Sequence, residues 1–517
     1  MEKNILLTAL LLLNFFYGHL SAQKKLHCGY INVRMEGAKR EDTSKLYFWQ
    51  NVLSSSLFDK FIQPKIYKVS LNENKEWHFQ LSSISRPGYF IICKDSNLAV
   101  ESPIPIFNRY LIEPGDSVTI VIKKRGYVNK EIGWNYSGLN DLYEDYVLTF
   151  SGRGSAKYQC RYRIDTMIAK DTSAYGVFKL GTYQYLSRNH YLVAHYIADS
   201  LLKAYRKFMS PIAFQILAAD LYSEIEIPRV RLLLNKYEIA VSNMDSLGLR
   251  IVKNTYFNYF NNDLPIGKYS RGLAISNSYP MYGILDAITK EHIEGNPLLG
   301  QGTYTYLKNE YTGMVRDRLL TLLFAREYHV SRVLQPLLQD AQKIVKTSYC
   351  LEVLNSIQSS LAKGKTAYNF SLVDTAGNIV TLKKLKGKVI FMDFWFTGCG
   401  SCKGYYKNIL AKAEDTFKDN PNVVFVSVSV DKLKNVWIKS IYSNAYSSVT
   451  HKNVINLYTG GVAGNSPVIR YYKISGYPFQ LLIDKSGRIA TSSWDDLNTL
   501  PKIRDKITYI LRQTCNN

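Results

Sequence analysis

The stretch that most constrains this chain is Phe391-Met392-Asp393-Phe394-Trp395-Phe396-Thr397-Gly398-Cys399-Gly400-Ser401-Cys402. Its first half is apolar enough to read as a strand buried on both faces, with one acid, Asp393, inside it. Its second half delivers a Cys-x-x-Cys to the start of a helix read from Ser401 to Phe417. A strand of that kind needs cover on both faces of its sheet, and the text from 366 to 517 supplies it. Strands read over Lys388 to Phe396 and Asn422 to Val430, and a further helix starts over Val436 to Tyr442. A hairpin pairs Phe479 to Ile483 with Arg488 to Ser493, and a last helix runs from Pro501 to Arg512 with the proline in its first turn. Strands alternating with helices predict an α/β domain.

The same spacing predicts chemistry. Free N–H groups and the dipole at a helix start favour an anion, so the Cys399 thiol should ionise readily. Cys399 would attack a disulfide, and Cys402, one turn into the helix, would resolve the mixed disulfide. Asp393 lies on the strand below, where burial would raise its pKa and let it take the proton that Cys402 loses. An inert disulfide or half a metal site can use the same spacing, but the strand, the helix and Asp393 together favour a redox pair. The eight histidines are scattered and there is no second Cys-x-x-Cys, so neither metal nor cofactor is expected.

Met392 through Cys402 resembles the thioredoxin active-site segment, with Trp395 at the supporting tryptophan. Gly476-Tyr477-Pro478-Phe479 resembles the loop where thioredoxin-like proteins carry a cis-proline facing the disulfide. The resemblance implies a cis Tyr477–Pro478 bond, a Pro478 that keeps metals off the thiols, and a Tyr477 backbone that pairs with an extended client. Phe370 to Asn378, Val426 to Asp431 with Trp437, and Leu482 to Ile489 narrow it to the TlpA-like branch of secreted thiol-disulfide oxidoreductases. This covers about 367 to 517. The turn Leu111-Ile112-Glu113-Pro114-Gly115-Asp116 resembles the accessory domain of exported Bacteroidetes proteins of this type. Four positions depart from the pattern: Gly398 replaces a tryptophan, which should expose Cys399, Ser401 replaces proline, Tyr405 replaces glutamate, and Lys407 replaces a helix-kinking proline. The implied partners are disulfide-containing client proteins and a membrane or periplasmic electron donor.

Upstream, short alternating segments read as strands: Tyr30 to Met35, Lys45 to Trp49, Tyr67 to Leu71, Trp77 to Leu81, Tyr89 to Lys94 and Ser117 to Ile122. They predict a small antiparallel β domain over 23–135. Helical spacing then dominates 136–365, for example Tyr191 to Met209, Pro211 to Glu226, Tyr282 to Glu294, Leu319 to Tyr328 and Ser331 to Val345, giving an all-α region.

Residues 1–22 read as a secretory signal: Lys3, an apolar stretch from Ile5 to Phe16, and Leu20-Ser21-Ala22 before the expected cut. Gly18, His19 and Ser21 interrupt the stretch, so stable membrane insertion after cleavage is not expected. The expected location is the periplasm or cell envelope. There the net charge of +23 is read as a solvated surface rather than a nucleic-acid site. Export also permits disulfides, and Cys28 and Cys93 are read either as a structural pair or as single thiols.

Two other functions compete. A peroxiredoxin would need Pro and Thr or Ser ahead of its peroxidatic cysteine, where this chain has Met392 and Phe396. An exported binding or scaffold protein with a vestigial redox module would explain Gly398 and Tyr405, but it leaves Cys399, Cys402, Asp393 and Pro478 without a reason to coincide.

Overall fold

The computed structural model describes residues 28–54, 61–95, 109–124, 146–170, 188–259, 270–295, 300–474 and 476–513. The signal read at 1–22 and Cys515 lie outside them. The chain divides into two compact units, Met1–Thr289 and Lys290–Asn517, a division that falls inside the stretch read as one helical region.

The first unit opens with β1 (Gly29–Met35), β2 (Thr43–Trp49), β3 (Lys65–Ser70), β4 (Trp77–Leu81), β5 (Gly88–Asp95), β6 (Tyr110–Ile112), β7 (Ser117–Lys124) and β8 (Tyr146–Arg153). They form two four-stranded sheets, ordered β4-β1-β7-β8 and β3-β2-β5-β6. Alternation explains the core: Ile31, Val33, Trp77, Phe79, Val118 and Ile120 of the first sheet meet Leu46, Phe48, Phe90 and Ile92 of the second. Two expectations are corrected. The sheets are not wholly antiparallel, because β1 and β7 run parallel from Tyr30↔Ser117 to Met35↔Ile122. Pairing between segments so far apart leaves no local sign of its direction. The second correction is β8, which lies in the stretch read as helical. There Leu148 and Phe150 are buried between exposed neighbours, a period of two over too few residues to stand out.

Helices follow: α1 (Ser155–Lys170), α2 (Arg188–Tyr205), α3 (Pro211–Ser242), α4 (Ser246–Tyr259), α5 (Ser270–Leu273) and α6 (Tyr279–Ile293). The Ser210 hydroxyl caps α3 by accepting from Ala213 N at 3.0 Å. The sequence reading stops α3 at Glu226, yet the helix continues through Pro228 to Ser242. Val230 and Leu233 beyond the proline are fully buried, and their packing outweighs the lost backbone bond.

The second unit holds α7 (Gln301–Glu310), α8 (Gly313–Glu327), α9 (Leu334–Ile344) and α10 (Ser348–Leu361), then the α/β domain. Its strands are β9 (Ser371–Asp374), β10 (Ile379–Thr381), β11 (Val389–Trp395), β12 (Val423–Ser429), β13 (Val454–Tyr458), β14 (Phe479–Ile483) and β15 (Ile489–Thr491), in the order β10-β9-β13-β12-β11-β14-β15. β11, β12 and β14 are buried throughout, as their unbroken apolar runs require. Between the strands lie α11, which runs from Gly400 to Thr416, α12 (Lys434–Tyr442) and α13 (Pro467–Tyr471); α14 (Trp494–Leu497) and α15 (Leu500–Arg512) end the fold.

On one face of the sheet, Leu410 and Ala413 of α11 and Ile503 and Ile507 of α15 pack on Phe391, Phe425 and Leu482. On the other, the Phe394 ring meets Tyr472 just past α13. The helices before the domain are tied to it, because Trp494 N donates to His329 O at 2.6 Å and Ser492 Oγ to Leu361 O at 3.0 Å. Among the described residues no helix is long and apolar enough to cross a membrane.

Candidate active site

Cys399 and Cys402 form a disulfide, with Cα atoms 5.3 Å apart. Cys399 is the N-cap of α11, and its sulfur accepts the backbone N–H of Cys402 at 3.1 Å. The helix therefore offers this sulfur an N–H donor and the positive end of its dipole, both of which favour a thiolate. Cys399 is 6% exposed and Cys402 1%, so both are buried and Cys399 is the less covered of the two. Gly398, expected to leave Cys399 more exposed than a tryptophan would, is itself exposed with nothing within 4 Å of its Cβ position, and Cys399 beside it is buried.

The loop before Cys399 is fixed by groups the sequence did not single out. Asp431, just past β12, accepts from Thr397 N at 2.8 Å, from Thr397 Oγ1 at 2.8 Å and from Ser429 Oγ at 2.9 Å. The Tyr446 hydroxyl accepts from Gly398 N at 2.9 Å, and its ring lies flat on Trp395 with centroids 4.8 Å apart. Trp395 also donates from Nε1 to Ser427 Oγ at 2.7 Å, so its indole is held at both ends. A sign did exist for Asp431, since an acid at the end of a buried strand has N–H groups of the next loop within reach. None marked Tyr446, which lies in a loop.

Across from the disulfide the Tyr477–Pro478 peptide bond is cis. The Tyr477 ring meets Phe396 edge-on at 5.6 Å and packs on the cluster of Trp395, Cys399 and Cys402. Ser401 Oγ donates to the Tyr477 carbonyl at 3.3 Å and lies 3.4 Å from Cys399 Sγ. Behind the loop, Phe479 packs against the ring of His329, whose pKa burial lowers to about 4. His329 is another residue that the scattered histidines did not reveal.

Asp393 sits within β11 and is fully enclosed. Burial raises its pKa to about 8, against the hydrogen bond from Gln480, which lowers it. Glu414 of α11 is a second buried carboxyl, raised to about 8 first by burial and then by the charge of Asp393. Its Oε2 meets Tyr406 and His451 Nδ1. Tyr405 is core: its hydroxyl donates to Leu497 O at 2.7 Å and its ring packs on Trp494. Lys407 falls in a π turn, Tyr406–Leu410, so the helix is distorted there without a proline.

The remaining described cysteines are single thiols. Cys93, Cys160 and Cys350 are buried, and burial raises them to about 12, 12 and 11. Cys28 and Cys93 therefore form no structural pair.

Residues 387–489 match the family model described as thioredoxin-like. The thiol-disulfide oxidoreductase ResA of Bacillus thuringiensis (strain Al Hakam) is 28% identical over 131 residues, 24% of this chain and 66% of that protein. ResA of Bacillus subtilis (strain 168) is 33% identical over 76 residues, 15% of this chain and 42% of its own length. The chain thus spans 66% or less of these two relatives. Among solved structures, the thioredoxin domain of a thiol-disulfide oxidoreductase from Bacteroides vulgatus is 28% identical, covering 29% of this chain and 99% of that one with a TM-score of 0.25. A thiol:disulfide interchange protein from a Bacteroides species is also 28% identical, covering 30% and 95% with a TM-score of 0.25.

Proposed function

We propose, from the premise that the C-terminal domain is thioredoxin-like across residues 387–489, that the chain is an exported thiol-disulfide oxidoreductase working as a reductase of client proteins. One observation carries the reading: the Cys399–Cys402 disulfide stands at a helix N-terminus, packed beside Tyr477, in the loop that follows the strand burying Asp393.

In the reduced protein the Cys399 thiolate attacks one sulfur of a client disulfide, forming a mixed disulfide and expelling the other client sulfur as a thiolate that takes a proton. Asp393, when ionised, accepts the proton of Cys402. The Cys402 thiolate then attacks Cys399 Sγ, and the second client sulfur leaves and is protonated. The client gains two electrons and two protons, and the protein ends as the disulfide. A dithiol protein on the membrane or in the periplasm returns the electrons by the same exchange in reverse. The Tyr477 backbone aligns an extended client segment beside Cys399. Export is supported by the apolar run Ile5 to Phe16 ahead of Leu20-Ser21-Ala22.

The test is the rate at which the chain lacking residues 1–22 reduces a protein disulfide, with Cys399→Ser and Cys402→Ser beside it. Cys402→Ser should accumulate mixed disulfides on Cys399, and Cys399→Ser should not. An inactive parent whose two thiols never oxidise reversibly overturns the proposal. Trapping by Cys399→Ser instead would reverse the two roles, and rapid consumption of hydrogen peroxide would favour a peroxidase.

A further inference from the structure

Ser401 places a hydroxyl between the disulfide and the cis-proline loop that the exchange mechanism leaves unused. Its hydroxyl lies 3.4 Å from Cys399 Sγ and 3.3 Å from the Tyr477 carbonyl oxygen, and it has one proton for the two acceptors. In the disulfide, Cys399 Sγ is a neutral sulfur, a weak acceptor that already takes the Cys402 N–H at 3.1 Å. The carbonyl is the better acceptor and holds the hydroxyl. In the dithiol state, Cys399 Sγ becomes an anion, and a hydrogen bond to an ionised partner is roughly twice as strong as a neutral one. Both acceptors are already within reach, so the change needs only rotation of the hydroxyl proton.

We infer that Ser401 is a redox-coupled hydrogen-bond switch that ties up the Tyr477 carbonyl in the oxidised protein and releases it, by turning to the Cys399 thiolate, in the reduced one. The inference rests on the proposed exchange reaction. In the reduced protein the freed carbonyl can accept a backbone N–H from an extended client while Ser401 and Cys402 N both stabilise the attacking sulfur. Once the Cys399–Cys402 bond has formed, the thiolate is gone, the hydroxyl returns to the carbonyl and the reduced client loses that bond. No covalent bond to oxygen forms or breaks, and the electrons pass only between sulfurs. The switch also gives the Ser401 departure a physical meaning, since a proline at this position has no proton to donate.

The test uses the full chain as parent, Ser401→Ala and Ser401→Thr. Cys402, Asp431, Tyr446, Tyr458 and Tyr477, titratable groups of the cluster and loop around Cys399, and Asp393 of β11 stay in place in all three. The first readout is the pH dependence of iodoacetamide alkylation of reduced Cys399, with the site assigned by mass spectrometry. Ser401→Ala should move the midpoint to higher pH and slow alkylation at neutral pH roughly fivefold, the worth of one partly exposed hydrogen bond. The second readout is the NMR shift of the Tyr477 carbonyl. Carbonyl-labelled tyrosine combined with 15N-proline selects the two Tyr-Pro groups, Tyr279–Pro280 and Tyr477–Pro478. The Tyr477 signal should differ between oxidised and reduced parent, and should lose that difference in Ser401→Ala. Ser401→Thr keeps a hydroxyl and should restore both behaviours. Either readout unchanged in Ser401→Ala overturns the switch. A parent that reduces no protein disulfide, yet shows both effects, would overturn the exchange reaction and leave the switch standing.

Discussion

Gln480 Nε2 donates to Asp393 Oδ1 at 2.8 Å across the register that places the two residues side by side on β14 and β11. Asp393 is 3% exposed and Gln480 is 3% exposed, so bulk solvent does little to screen the charge of an ionised carboxylate there. The bond favours ionisation and burial opposes it. Burial wins and leaves the carboxyl at about 8, so Asp393 is neutral through the acidic range and becomes a base only near the pH where a thiol ionises.

The first prediction concerns stability. The folded pKa of Asp393 is raised above the value of about 3.9 expected in the unfolded chain. Its contribution is therefore fully present below about pH 4, falls as pH rises and levels off above about 8. Asp393→Asn keeps an oxygen for Gln480 and removes the titration. It should stabilise the domain by up to about 4 kcal/mol at pH 7 and change little at pH 4. Urea unfolding of both proteins at several pH values measures the difference; Glu414, whose raised pKa slopes the same way and owes part of its rise to the charge of Asp393, contributes to it. Equal gains at both pH values would refute the assignment.

A second prediction follows the same bond into turnover. Gln480→Leu removes a hydrogen bond that lowers the Asp393 pKa, so the carboxyl should ionise above 8. If ionised Asp393 accepts the Cys402 proton, the alkaline rise in disulfide reduction moves to higher pH in Gln480→Leu and flattens in Asp393→Asn. Rates recorded from pH 6 to 10 decide this, and a Gln480→Leu profile superimposable on the parent's would exclude Asp393 from the proton path.

The sequence made β11, the cysteine pair, Asp393 and Pro478 legible because each signal is local: an unbroken apolar run, a fixed spacing, a lone acid, a proline before a strand. What it hid depends on contacts between distant segments. Gln480 reads as an ordinary polar residue until the β11–β14 register puts it on Asp393. β13 passed unread because Val454–Tyr458 is short and its support comes from parallel pairing with β12. The β1–β7 pairing and the flat Trp395–Tyr446 stack are of the same kind. Tyr405 was legible as a departure from a pattern, and its use, packing on Trp494, was not.

Asp431 supports the third prediction. Its carboxylate is 7% exposed and takes both the N–H and the hydroxyl of Thr397, so Asp431→Ala strips partners from the loop that leads into Cys399. Losing the acceptor for a part-buried N–H costs about 1–3 kcal/mol, and the second bond adds to it. Thermal unfolding should show a clear drop for Asp431→Ala and a smaller one for Asp431→Asn, which retains one oxygen. Disulfide reduction should slow in step. A variant with parental stability would mean the loop is held elsewhere.

The fourth prediction turns on Gly398. Its φ is +96°, in the region that side-chain-bearing residues rarely adopt, and a Cβ built there meets no heavy atom within 4 Å. The position therefore has room for an alanine side chain but not the backbone for one. This bears on the tryptophan usual at this place in the family, because a bulky residue here would have to alter the backbone that aims Gly398 N at the Tyr446 hydroxyl. Gly398→Ala should cost about 1 kcal/mol from backbone strain alone. Asparagine tolerates positive φ better than other side-chain-bearing residues, so Gly398→Asn should cost less although it is larger. Urea midpoints in the order parent, Asn, Ala would establish that conformation sets the requirement. An order that follows side-chain size, with Ala mildest, would show that space sets it instead.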